Sequence, residues 1–280
     1  MYPLTTLCPP GTLDDEGGIM KVSGNTILIT GGTSGIGEEL AKRFLTLGNT
    51  VIVTGRDAAK LDRLKKEQPA LHTIQSDASD PTAIEALYET VTRRFPKLNV
   101  LINNAGIMRK INLQDNSGDL KDIGLEIETN LLGVIRMVKQ FLPHLKQQSE
   151  AGIVNVTSGL AFSPFPISPV YSASKAGLHS FTQSLRVQLK NTRIKVFELA
   201  PPAVETPLAN AFDASDTKGG PPMMKVDKLV DHAIKGIRRD QLQIMPGFSR
   251  VLNLLGRALP KLAVRMASAP VDAMLAQTKS

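Results

Sequence analysis

The 280-residue sequence predicts an α/β fold, a doubly wound parallel seven-stranded sheet with helices on both faces. Three observations carry this. Short β-branched apolar runs alternate with amphipathic segments from Thr26 onward. The composition, 42% apolar and 21% charged, is that of one large globular domain. A glycine cluster stands between the first apolar run and the first amphipathic segment, where a strand must turn into a helix.

The apolar runs place strands at 26–30, 50–54, 71–75, 100–103, 152–157, 193–198 and 241–245. Helical periodicity places helices between them at 35–47, 58–67, 81–95, 120–146, 172–190 and 227–239, with Asp57 as the N-cap of the second. Residues 1–20 read as a flexible extension rich in Pro, Gly and acid, with Met20 an alternative start. Residues 21–247 form the body, and 248–280 a basic amphipathic tail bent at Pro260.

The net charge of +7 would permit a nucleic-acid or anionic-membrane partner. Its distribution argues against nucleic acid, because residues 1–234 are nearly neutral while 235–280 hold eight basic and two acidic side chains. A single cysteine, Cys8, and four scattered histidines exclude an internal disulfide and a zinc-like cluster, so metal-free chemistry is expected. With neither a secretory signal nor an 18-residue apolar run, a cytoplasmic location is expected.

The segment Thr30-Gly31-Gly32-Thr33-Ser34-Gly35-Ile36-Gly37 makes chemical sense at a strand-to-helix turn. Gly31 permits the sharp turn, Gly35 lets backbone approach a pyrophosphate, Gly37 allows close helix–strand packing, and the helix N-terminus offers free N–H groups to the anion. This is the phosphate-binding turn of a Rossmann fold. At the end of the second strand, where an NAD site places an acid on the ribose, stand Gly55 and Arg56. A guanidinium binds a 2′-phosphate that a carboxylate would repel, so NADP(H) is expected in preference to NAD(H).

Tyr171 and Lys175 lie at i and i+4 of a helix, where a cation lowers the pKa of a phenol toward the working range of a general acid–base. Ser158 ends the fifth strand, where its hydroxyl can polarise a substrate carbonyl. Together, the glycine turn, Asn103-Asn104-Ala105-Gly106, Asn130, Ser158 and Tyr171-x-x-x-Lys175 resemble the short-chain dehydrogenase/reductase superfamily over about residues 24–247. The TGxxxGxG spacing is similar to its short single-domain branch, and the segment from Ala200 to Thr206 with the basic tail most resembles bacterial oxidoreductases of the DltE type.

The resemblance implies an oxidoreductase in which Tyr171 is general acid in reduction and base in oxidation, and Lys175 binds the nicotinamide ribose. It implies that Ser158 holds the substrate oxygen and that Asn130 maintains a helix kink and a proton-relay water. It also implies cofactor contacts from Gly31, Thr33, Ser34, Gly35, Ile36 and Gly37, from Asp77 and Ala78 near the adenine, from Asn104, Ala105 and Gly106, and from Val204 and Thr206. This chain departs from the family in Pro201-Pro202, where Pro-Gly is usual, which predicts a stiffer path for the loop carrying Val204 and Thr206. With Ser34 in place of a frequent basic residue, Arg56 is left to recognise the 2′-phosphate largely alone.

The apolar loop from Gly159 to Pro166 either lines a hydrophobic pocket or packs Phe162 and Phe165 beneath itself. The loop 107–118 carries Arg109 and Lys110 toward an acidic substrate group or solvent. Three roles are open to the tail: a lid on the substrate pocket, a subunit contact, or a face that touches anionic membrane. The family's long paired helices imply a homodimer or homotetramer. The expected substrate is a small carbonyl or alcohol; a cofactor-binding sensor without turnover is the rival reading, though it would have no chemical need for Tyr171.

Overall fold

The computed structural model describes residues 20–115, 119–213, 216 and 220–277. The expected N-terminal extension therefore lies outside the described residues, apart from Met20, which is buried in the core with its thioether against the bare Cα of Gly152.

Seven strands form one parallel sheet in the order β3-β2-β1-β4-β5-β6-β7. They are β1 (Thr26–Ile29), β2 (Thr50–Gly55), β3 (His72–Gln75), β4 (Leu98–Asn103), β5 (Ala151–Val156), β6 (Ile194–Leu199) and β7 (Gln243–Ile244). The helices α1 (Gly35–Thr46), α2 (Ala58–Glu67) and α3 (Pro81–Arg94) follow the first three strands, and α7 (Pro169–Gln188) and α8 (Val226–Arg238) precede β6 and β7. Because side chains alternate across a strand, Ile27 and Ile29 pack with Leu40, Phe44, Leu229 and Val230 on one face. Leu28 packs with Val91, Phe141, Leu178 and Leu185 on the other. Burial on both faces explains the unbroken apolar runs Ile27–Ile29 of β1 and Val51–Val53 of β2.

The predicted helix 120–146 is not continuous. It is broken into α4 (Leu120–Ile123), α5 (Leu125–Ile127), a π-helical turn (Glu128–Leu132) and α6 (Gly133–Leu145). Tertiary contacts override the periodicity: the carbonyl of Ala78 comes so close to Gly133 that a side chain there would collide with it, and Asn130 is drawn aside to bond Ile107. The helix carrying Tyr171 starts three residues earlier than predicted, since Ser168 and Pro169 form its entry. The last strand is shorter than 241–245. Beyond it lie α9 (Ser249–Ala258), α10 (Pro260–Met266), which begins at the proline expected to bend the tail, and a third helix, α11 (Ala269–Gln277), which the periodicity did not show. Among the described residues no helix is long and apolar enough to cross a membrane.

The strand order reverses between β1 and β4, so their carboxyl ends diverge into a crevice, the usual place for a ligand in such sheets. Leu101, fully buried on β4 beside this crevice, supports both neighbouring strands. Leu101→Ala is expected to cost about 2–5 kcal/mol of stability, read as a lower midpoint in urea unfolding with an unchanged slope.

Candidate active site

The glycine turn occupies the β1 end of the crevice. Gly31 has φ +64°, and a Cβ there would lie 2.7 Å from the Cα of Ala105, so the close approach of the two segments requires its bare backbone. Asn104 stitches the segments together: its amide donates to the carbonyls of Thr30 at 3.0 Å and Gly31 at 2.9 Å, while Thr30 Oγ1 accepts from the N–H groups of Asn104 and Ala105. Gly37 sits directly against the Gly31 carbonyl and the Asn104 amide.

A dinucleotide phosphate fits the surface left by these contacts. Ser34 caps α1 in an extended conformation and makes no side-chain bond to the helix, and Gly35, at φ +54°, faces Thr206 with no side chain of its own. Ile36 is turned into the core beside α1. Gly55 abuts the Thr33 side chain, which places the next residue, Arg56, at the edge of the turn. Asp57, not Arg56, caps α2 by accepting from Lys60 N at 3.1 Å, and the exposed Arg56 guanidinium makes no hydrogen bond or ion pair with any described residue.

Other expected contacts are arranged less freely. Asp77 spends one carboxylate oxygen on the N–H and hydroxyl of Ser79, and Ala78 presents its carbonyl to Gly133. Despite Pro202, the loop beyond it reaches the crevice: Val204 is buried and bridges to Met224, and Thr206 lies 3.2 Å from where a Gly35 Cβ would stand. The stiffer path has not pulled the loop away, because the Pro201 carbonyl is anchored by Gly159 N at 2.7 Å.

At the carboxyl ends of β4 and β5 the four remaining residues converge. Asn130 Oδ1 accepts from Ile107 N at 2.9 Å, and its amide donates to the Ile107 carbonyl and Ser174 Oγ. Gly106 sits between Asn130 and Lys175, its Cα bare on that side. Lys175 Nζ donates to the Val156 carbonyl at 2.8 Å and lies 5.7 Å from the centre of the Tyr171 ring. Ser158 lies against the Tyr171 phenol, its Oγ also accepting from Leu160 N.

The electrostatics differ from the expectation that Lys175 draws the phenol's pKa down. Burial pushes Tyr171 up to about 12, opposed by the hydrogen bond to Ser158 and reinforced by the charge of Glu126. Burial also pushes Lys175 down to about 8. Desolvation outweighs the i,i+4 attraction because both groups are sealed inside the protein.

Two buried clusters were not foreseen. Glu126 of α5 accepts from Arg109 N at 2.9 Å, and the Arg109 carbonyl accepts from Ser168 at the start of α7, so the loop after β4 is clamped beside Tyr171. Arg109 therefore turns to Asp122 and Glu126, and Lys110 pairs with the buried Asp216 at 2.8 Å, instead of facing solvent. Beneath Ser158, Thr157 Oγ1 donates to Glu198, which also holds His179 Nδ1 at 2.9 Å. An acid inside an apolar run was the available signal for both clusters.

Phe162 packs edge-on against His179, and Phe165 meets Phe212 of the loop after β6. The loop from Gly159 lines an apolar cleft of about 310 Å³ with Ala173 and Ala176, which the 100° helical step sets roughly opposite Tyr171 on α7. The inner side of α9 covers this loop: Leu252 and Ser249 lie over Gly159, and Gly256 meets the Phe162 carbonyl.

A short chain dehydrogenase family model matches residues 25–217. The chain is 51% identical over 189 residues to the uncharacterized oxidoreductase DltE of Bacillus subtilis, covering 68% of this chain and 75% of that protein. Its fold is similar to that of a short chain dehydrogenase from Burkholderia cenocepacia in complex with NADP (TM-score 0.76, 23% identity, 89% of this chain and 99% of that one). It is also similar to the 3-ketoacyl-(acyl-carrier-protein) reductase of Brucella melitensis complexed with NADH (TM-score 0.70, 32% identity, 78% and 92%).

In a 13C-tyrosine NMR titration, Tyr171 should remain a neutral phenol well beyond the ordinary midpoint of about 10. Glu126→Gln removes a negative charge that disfavours the phenolate and should lower the midpoint. A midpoint unmoved by that substitution would contradict the coupling.

Proposed function

The chain belongs to the short-chain dehydrogenase family, and on that premise we propose that it is an NADP(H)-dependent oxidoreductase acting on a carbonyl or secondary alcohol, with Tyr171 as general acid–base. The observation that carries this reading is the convergence of Ser158, Tyr171, Lys175 and Asn130 beside the glycine turn. In the same reading residues 21–247 are the catalytic body, 248–280 form a lid on the substrate pocket or a subunit contact, and subunits pair as a homodimer or homotetramer.

Gly31, Thr33, Ser34, Gly35, Ile36 and Gly37 would hold the pyrophosphate, and Arg56 the 2′-phosphate. Asp77 and Ala78 would flank the adenine, Asn104 to Gly106 the middle of the cofactor, and Val204 and Thr206 the nicotinamide end. When bound, the nicotinamide supplies or takes up the hydride.

The Ser158 hydroxyl donates to the substrate's carbonyl oxygen and orients it. As the carbonyl carbon becomes an alcohol carbon, Tyr171 gives its phenolic proton to that oxygen. A phenol pushed up to about 12 is protonated at neutral pH, the form that can give its proton to the substrate oxygen in reduction. Lys175 stands next to the phenolate so formed and offers a proton or a positive charge to it, while Asn130 keeps the Ile107 backbone and α7 in register around it. In alcohol oxidation the same groups run in reverse, and the rate should rise with pH as the phenolate becomes populated.

NADP(H) preference rests on an exposed guanidinium at the edge of the phosphate turn that has no side-chain partner among the described residues. Arg56→Ala should weaken NADPH binding roughly 10–100-fold, the worth of one or two charge-assisted hydrogen bonds, and leave NADH nearly unchanged. Equal loss for both cofactors would remove the assignment. With a panel of ketones and alcohols followed by nicotinamide absorbance, Tyr171→Phe should lower kcat about 10²–10⁴-fold without changing NADPH affinity. Turnover retained in that variant would sink the mechanism.

A further inference from the structure

The helices α9 and α10 have an inner side used by the protein and an outer side that no described residue covers. At 100° per residue, Ser249, Leu252 and Gly256 face the loop after Ser158, so Arg250, Val251, Leu254 and Arg257 share the opposite side of α9. Leu254 is 68% exposed and Met266 64%, and Val251, Leu259, Leu262 and Val264 are exposed with them. Arg250, Arg257, Lys261 and Arg265 are exposed among these apolar side chains and form no ion pair with any described residue; the only acid on α9 to α11 is Asp272.

At the root of α9 this surface runs into a cleft of about 340 Å³ between the end of α8 and β7. Its charged or titratable lining is His232, Lys235, Arg239 and Arg250, with no carboxylate. The neighbouring acids are engaged outside the cleft: Asp231 with Arg43, and Asp240 with Lys195 at 2.6 Å. A cationic cleft therefore adjoins a helical face that mixes exposed leucines with arginines.

We infer that the outer face of α9 and α10, with the cleft lined by Lys235, Arg239 and Arg250, docks on the surface of an anionic phospholipid bilayer. Surface helices bind this way when exposed apolar side chains enter the acyl boundary and nearby cations meet headgroup phosphates. A nucleic acid would find no use for the exposed leucines and methionine. A two-fold contact with a second copy would set this face, whose charges are all cationic, against itself, a like-charge juxtaposition that opposes pairing. The inner side of α9 stays on the loop after Ser158, so docking by the outer side leaves that contact in place.

Co-sedimentation of the full chain with bound NADPH should show binding to phosphatidylcholine vesicles containing phosphatidylglycerol at least about tenfold tighter than to phosphatidylcholine alone, weakened by added salt. The double variant Leu254→Glu/Leu262→Glu should lose about tenfold or more of that binding while keeping wild-type NADPH affinity and molar mass by light scattering. Equal sedimentation with both vesicle types, or a variant that binds like the wild type, overturns the inference. Full displacement by an equal concentration of glycerol phosphate also overturns it and assigns the cleft to a soluble ligand. A wild type that ignores vesicles, with a variant that drops to a smaller assembly, overturns it in favour of a contact between copies.

Discussion

The site depends on how closely the turn after β1 approaches the end of β4. Gly31 and Gly37 remove the side chains that would hold the segments apart, and the Asn104 amide closes the gap with two hydrogen bonds. Each such bond contributes only about 1 kcal/mol net, but a side chain at either glycine would collide with backbone, and that cost is far larger. The approach fixes how the turn and the N-terminus of α1 sit in the crevice that the strand order opens.

A second constraint acts on the reacting groups. Tyr171 and Lys175 are buried on α7, and both are driven toward their neutral forms. For the phenol this keeps the proton available for transfer. For the amine it leaves a group near the midpoint of its titration, able to give up or regain a proton. The π-helical turn at Glu128–Leu132 belongs to the same arrangement, since it is the local distortion that lets Asn130 bond Ile107 and Ser174 at once.

The clamp around Glu126 and the Thr157-Glu198-His179 group support these residues from behind. A buried carboxylate is costly unless bonded, so each of these acids organises its neighbours: Glu126 the loop after β4, Glu198 the strand bearing Ser158. The tail adds an outer layer, with α9 resting on the loop between Ser158 and Tyr171.

The sequence by itself determined the parallel sheet, the glycine turn, the Asp57 cap and the positions of Ser158, Tyr171 and Lys175, because each depends on local periodicity, backbone freedom or i,i+4 spacing. Tertiary structure alone decided the rest. The break at 120–146 does not show in the apolar period, which continues through it, and only the family resemblance implied a kink at Asn130; Ala78 and Ile107, distant in sequence, impose the distortion. Arg109 and Lys110 look like solvent-facing cations until folding brings Glu126 and Asp216 to them. The sign of the Tyr171 shift depends on burial, which no spacing rule reports. The tail's amphipathicity was legible, but which of its faces meets the protein was settled by the one fit that Gly159 and Gly256 allow.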